Sequence, residues 1–143
     1  MNLLNLDTIT ALFSGFEPMQ ELLDKIASNS FPLDCSELEA PLAAIVAINI
    51  KNSSFPNKKQ RIFVITPGDS EAEAFAFDCN KLGGNAMILP WWKTAAYRPV
   101  EPGSSIFGQR SSALASMLAD DGPGIIVASQ RAAMTGLPPR ELF

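Results

Sequence analysis

Three short apolar runs limit what this chain can fold into: 61–66 (RIFVIT), 86–89 (AMIL) and 124–129 (GIIVAS). The first and last are continuous and rich in β-branched residues, the mark of strands buried on both faces of a parallel sheet. The segments between them carry a helical period instead. Ser70 to Leu82 places Ala72, Phe75, Ala76, Cys79 and Leu82 on one face. The segment from Ser104 or Ser105 onward does the same with Ile106/Phe107, Arg110, Ala113/Leu114 and Met117/Leu118. Strands that alternate with helices need crossover connections, which give a parallel sheet with helices on its faces. The expected fold class is α/β: a three-layer parallel sheet flanked by helices.

Local signals mark the element ends. Ser70-Glu71-Ala72-Glu73 has the form of a capping box, and Gly83-Gly84 supplies a left-handed helix stop. Before the first strand the periodicity predicts three helices. Leu3, Leu6, Ile9, Leu12/Phe13 and Phe16 form the face of one that stops at Ser14-Gly15. A second opens at Glu17-Pro18 and buries Met19, Leu22, Leu23 and Ile26; a third covers about Pro41 to Lys51. Phe31 to Cys35 reads as a short extended stretch, and Asn52 to Lys59 as a loop around Pro56. A short helix after Ser129 is expected to end near Gly136. The division expected is a helical lead-in over 1–36 and an α/β unit over 37–143. Three strands leave two open edges, and Arg140-Glu141-Leu142-Phe143 does not read as a natural end, so a longer chain is expected.

Composition narrows the chemistry. Hydrophobic residues are 47% of the chain and charged residues 18%, enough to bury a core. The net charge of −4 disfavours nucleic acid as this segment's main partner. Histidine is absent, which excludes Ser-His-Asp and Cys-His catalysis and His-ligated zinc. Cys35 and Cys79 lie too far apart for a CxxC pair, and a chain without a cysteine framework fits a reducing compartment. The start carries no signal-peptide pattern, and the longest apolar stretch, Leu38 to Ile50, is too short to span a bilayer. A cytoplasmic protein with no membrane partner is expected.

Nucleotide chemistry finds no support. The stretch ahead of the third helix, Ser36, Glu37, Leu38, Glu39, Ala40 and Pro41, stands where a P-loop would stand. It lacks the glycines that cradle phosphate and the lysine that reaches it, and its two carboxylates repel phosphate. GxGxxG and GxSxG are also missing. The strand ends, Thr66-Pro67, Leu89-Pro90 and Ser129-Gln130, offer no phosphoacceptor aspartate. The most unusual local feature is Trp91-Trp92 with Tyr97 and Arg98, just past a strand's carboxyl end, where α/β sheets place their sites. These four are interface candidates; the simpler account is that one tryptophan and Tyr97 pack the loop onto the sheet. Lys58-Lys59-Gln60-Arg61 reads as a solvated basic run before a strand, and Glu71 and Glu73 as carboxylates at a helix start. No metal site or catalytic group is expected.

The order of parts carries a resemblance. RIFVITP is followed by a Glu/Ala-rich helix, then MILPWWKTAAYRPVEP, then a helix with Ile106, Arg110 and Leu114, then GIIVASQRAAMTGLPP. Over roughly 38–143 this resembles the N-terminal module of bacterial transcription-repair coupling factors, the part homologous to the excision-repair helicase UvrB. That family has a "F-P-x-W-E-T-L-P-Y" loop and a closing "G-I-V-V-A-S…L-P-P". This chain departs from it with Lys93 in place of the acid and Ala95-Ala96 in place of Leu-Pro. UvrB itself resembles it less, since it keeps an intact P-loop and inserts a long Tyr-rich segment after the second strand.

The resemblance implies a P-loop-NTPase or helicase-lobe-like fold, domain 1a of the module, with a degenerate nucleotide site at Ser36 to Pro41. It implies no catalysis and no cofactor for these residues. ATP and magnesium would serve a DNA-translocating motor elsewhere in the protein. The whole protein would displace stalled RNA polymerase from DNA and recruit UvrA, with this segment packed against the rest of its own chain. Two other classes stay open: a vestigial helicase lobe that binds nucleotide weakly, and a stand-alone interaction domain using Trp91, Trp92, Tyr97 and Arg98.

Overall fold

A computed structural model describes residues 6–53, 61–93 and 105–135. Helices α1 (Leu6–Phe13), α2 (Glu17–Ala27) and α3 (Ala40–Ser53) come first. Then β1 (Ile62–Thr66), α4 (Asp69–Lys81), β2 (Ala86–Leu89), α5 (Ser105–Leu118), β3 (Ile125–Ser129) and α6 (Gln130–Ala133) follow in order. The protein is α/β, with a three-stranded parallel sheet flanked by helices. The strand order is β1-β3-β2, with Ile125 of β3 opposite both Ile62 and Ala86.

Alternation along the strands sorts the core into two faces. Ile125 and Val127 point with Ile62, Val64 and Ile88 toward α3 and α4, meeting Ala44, Ile48, Ala72, Ala76 and Cys79. Ile126 and Ala128 point the other way with Met87 and Leu89, meeting Ala113 and Leu114 of α5 and Ala132 of α6. The path from β1 to β2 passes over β3, and the path back to β3 reverses direction. Crossovers of one hand put those two connections on opposite faces, which is where α4 and α5 lie. Every residue of β3 is buried.

The third helix is docked by polar as well as apolar contacts. Buried Asn49 donates from Nδ2 to the carbonyls of Thr10 and Ile45, and the Thr10 hydroxyl donates to the carbonyl of Leu82. These bonds tie α1 to α3 and to the end of α4. Lys51 reaches the start of β3 at Gly124, so α3 runs antiparallel to the strands and its first turn lies toward their carboxyl ends.

Several local expectations change. The capping box does not form: α4 begins at Asp69 with Gly68 as its cap residue, and no side chain caps the first turn. The stop after α4 is as expected, with Gly83 at φ 81° and Gly84 N–H donating to the carbonyl of Cys79 at 2.8 Å, the long bond of a Schellman motif. The largest departure is β1, read as buried on both faces. Ile62 and Val64 face α3 and α4, but Phe63 and Ile65 are 45% and 60% exposed. The reason is position: β1 is an edge strand, and α5 lies over β2.

The two sheet edges are not alike. Ile125 N–H donates to the carbonyl of Asn85, so the backbone groups of Ala86 face outward. The Asn80 carboxamide takes both: its Nδ2 donates to the carbonyl of Ala86 and its Oδ1 accepts from the Ala86 N–H, each at 2.9 Å. The start of the β2 edge is thus closed by a side chain acting as a strand would. At β1, Ile62 N–H donates to Gly124, which turns the backbone groups of Phe63 and Ile65 outward. Among the described residues no strand pairs with that edge.

Candidate functional site

The carboxyl ends of β2 and β3 meet the first turns of α4 and α5 around a cavity of about 270 Å³, whose lining includes Asp69, Glu73, Trp91, Lys93, Gln109 and Ser129. Pro90 ends β2, and the chain turns away through Trp91, Trp92 and Lys93. Lys93 holds φ at 55°, the left-handed region that a non-glycine residue enters at a cost of about 1–2 kcal/mol. The Ser129 hydroxyl accepts from the Ala132 N–H at 3.2 Å and caps α6.

Both tryptophans are half-buried and each carries a guanidinium against its ring. Trp91 joins the α5-side core, with the Arg131 guanidinium 5.4 Å from its ring centre. Trp92 lies 5.9 Å from the Phe107 ring, with the Arg110 guanidinium at 5.0 Å. Trp91 therefore packs the start of this turn onto the α5-side core. Tyr97 and Arg98, the other two interface candidates, lie outside the described residues.

Arg110 is the odd feature. It occupies the inward face of α5 and is fully buried. Its Nη1 donates to the carbonyl of Pro90 at 2.6 Å and its Nη2 to that of Ala132 at 3.5 Å, while its buried Nε has no hydrogen-bond partner. Loss of hydration holds its pKa below the usual guanidinium value. Nearby, Lys93 and Arg131 are exposed. None of the three cations meets a carboxylate among the described residues. Sequence periodicity placed Arg110 on the inward face. Arg131 was missed; its only sequence signal is that it follows a strand's carboxyl end, where α/β folds place functional groups.

The other candidates fall outside this corner. Ser36, Glu37, Leu38, Glu39, Ala40 and Pro41 lead into the exposed start of α3 with no strand directly before them, and Glu37 has φ 61°. Glu37 and Glu39 line an open depression with Pro41 and Leu42, a negative and apolar surface unlike a phosphate cradle. Arg61 is engaged in the fold: its guanidinium donates to the carbonyls of Pro123 and Ala119, fastening β1 to the α5–β3 turn. Lys58, Lys59 and Gln60 lie outside the described residues. Cys79 is buried, and its thiol pKa is pushed up to about 11 by lost hydration, then by the charge of Asp78. Cys35 is exposed. Among the described residues no group of three or more His, Cys, Asp or Glu is placed to hold a metal, and no helix is long and apolar enough to cross a membrane.

No family model, no curated protein and no solved structure matches this chain.

Proposed function

We propose that this chain is a non-catalytic scaffold domain of a transcription-repair coupling factor, the start of its UvrB-like module, with a helicase-lobe type of fold. The protein as a whole would displace stalled RNA polymerase by an ATP-driven motor in another part of the chain and recruit UvrA. These residues would support the neighbouring domains in the cytoplasm and do no chemistry. The reading rests on the motif order described above, RIFVITP to GIIVASQ, including the turn at Leu89-Pro90-Trp91-Trp92.

The observation that carries the scaffold role is the bare face of β1. Phe63 and Ile65 present apolar side chains and outward backbone groups on one edge, while Asn80 closes the start of the other. An open apolar edge is a liability for a domain that stands alone and a docking face for one that supports neighbours. Scaffolding also agrees with Glu37 and Glu39 ahead of α3, where two carboxylates line the surface and repel phosphate.

Two measurements test this. The native polypeptide should continue well past Phe143 into further domains; an intact mass that ends there would overturn the coupling-factor reading. A fluorescent ATP analogue should show no saturable binding to this chain. Binding in the micromolar range would instead favour the vestigial helicase lobe.

A further inference from the structure

In a chain of net charge −4, three cations gather at the carboxyl-end corner of the sheet and none has an acidic partner among the described residues. Arg131 and Lys93 are exposed and Arg110 is buried; the Arg131 guanidinium lies against Trp91, which lines one cavity with Lys93, and the Arg110 guanidinium lies against Trp92. We infer that the Trp91–Lys93 turn and α6 form a docking surface for an acidic segment of a protein partner, its carboxylates meeting Arg131 and Lys93 and its apolar side chains lying on the two indoles.

Three features argue for that occupant. The Arg131 guanidinium rests 5.4 Å from the centre of the Trp91 ring. A stacked guanidinium keeps its in-plane donors free and loses little freedom when a carboxylate takes two of them. Tryptophan beside arginine is also the composition that concentrates binding energy at protein interfaces. Arg110 adds a buried charge with one unsatisfied donor, and an anion docked nearby offsets part of the cost of holding that charge out of water. A nucleic-acid strand fits less well. A continuous phosphate backbone calls for an extended basic face, which a chain of net charge −4 does not offer, whereas a short acidic segment needs only the two exposed cations. The inference does not depend on the proposed scaffold role, which is carried by β1.

The test uses the chain's own reporters, since both of its tryptophans are at this corner. Tryptophan emission is followed while the protein is titrated with a short peptide alternating glutamate and leucine, with its lysine–leucine counterpart, and with oligothymidine. The glutamate peptide should bind saturably and lose about tenfold in affinity when Arg131→Glu and Lys93→Glu are combined, with about half that effect on a logarithmic scale for Arg131→Gln alone. The lysine peptide should not bind. Both side chains are exposed, so the variants keep the urea midpoint of the parent protein. An emission change that never saturates, an affinity that ignores the charge reversals, or tighter binding of oligothymidine than of the glutamate peptide would each overturn the proposal.

Discussion

Replacing Arg110 with methionine should leave the protein close to its natural stability, and replacing it with alanine should not. The guanidinium makes one good hydrogen bond, to the Pro90 carbonyl at 2.6 Å, and a marginal one to Ala132 at 3.5 Å. A charge-assisted bond contributes about 1.5–3 kcal/mol, and the contact with Trp92 at 5.0 Å adds about 1 kcal/mol. Against these stands a cation that is fully buried, has no carboxylate partner among the described residues and leaves Nε unsatisfied. Holding an unpaired ion out of water costs several kcal/mol. The terms nearly cancel, so Arg110→Met should fall within about 1.5 kcal/mol of the parent. Arg110→Ala removes the same bonds and also opens a cavity between α5 and the sheet, which costs a further 2–4 kcal/mol or so. In urea, with a slope of about 2 kcal/mol per molar, the methionine midpoint should lie about 1 M or more above that of alanine. Equal, large losses in both variants would refute the reasoning, because the charged bonds would then outweigh the cost of burial.

Two more outcomes follow from the same geometry. A Cβ at Gly122 would run into the Ser116 carbonyl oxygen, with Arg61 Nη2 at 2.9 Å and the Ala119 oxygen at 3.1 Å, so Gly122→Ala should destabilise by about 1–3 kcal/mol. Gly108, inside α5, has nothing within 4 Å of that position, and Gly108→Ala should stabilise by about 0.5–1 kcal/mol; thermal melts that rank the two the other way would count against this account. A thiol-specific reagent at pH 8 should modify Cys35 alone in the native protein and both cysteines after unfolding, since Cys79 is buried with its pKa near 11. The raised value also sets a sign. The folded state holds the proton more tightly, so this group's contribution to stability is complete below an unfolded pKa near 9 and is lost as pH rises from there through about 11.

Much of this architecture was legible in the sequence, and the misses have a common physical origin. Periodicity located all three strands because β-branched apolar runs and helical spacing are local properties. It also located the inward face of α5, Arg110 included. Partners are not local. The run IFVIT reads the same whether a second helix covers it or no described element does, so the exposure of Phe63 and Ile65 could not be read from it. The period likewise placed Arg110 inside without saying what would meet its charge. The capping box failed for a related reason: Ser70 and Glu73 have the right spacing, but Pro67-Gly68 turns the chain early enough for Asp69 to begin the helix. Asn80 shows how such ambiguity can be resolved. An exposed asparagine at the end of a helix has several local uses, yet here its carboxamide closes the start of the β2 edge, and no described side chain does so for β1. A sheet whose two edges both faced solvent would be expected to protect both. The partial cover at the start of β2, set against apolar side chains and outward backbone groups together on β1, is the asymmetry on which the proposed docking role of β1 rests.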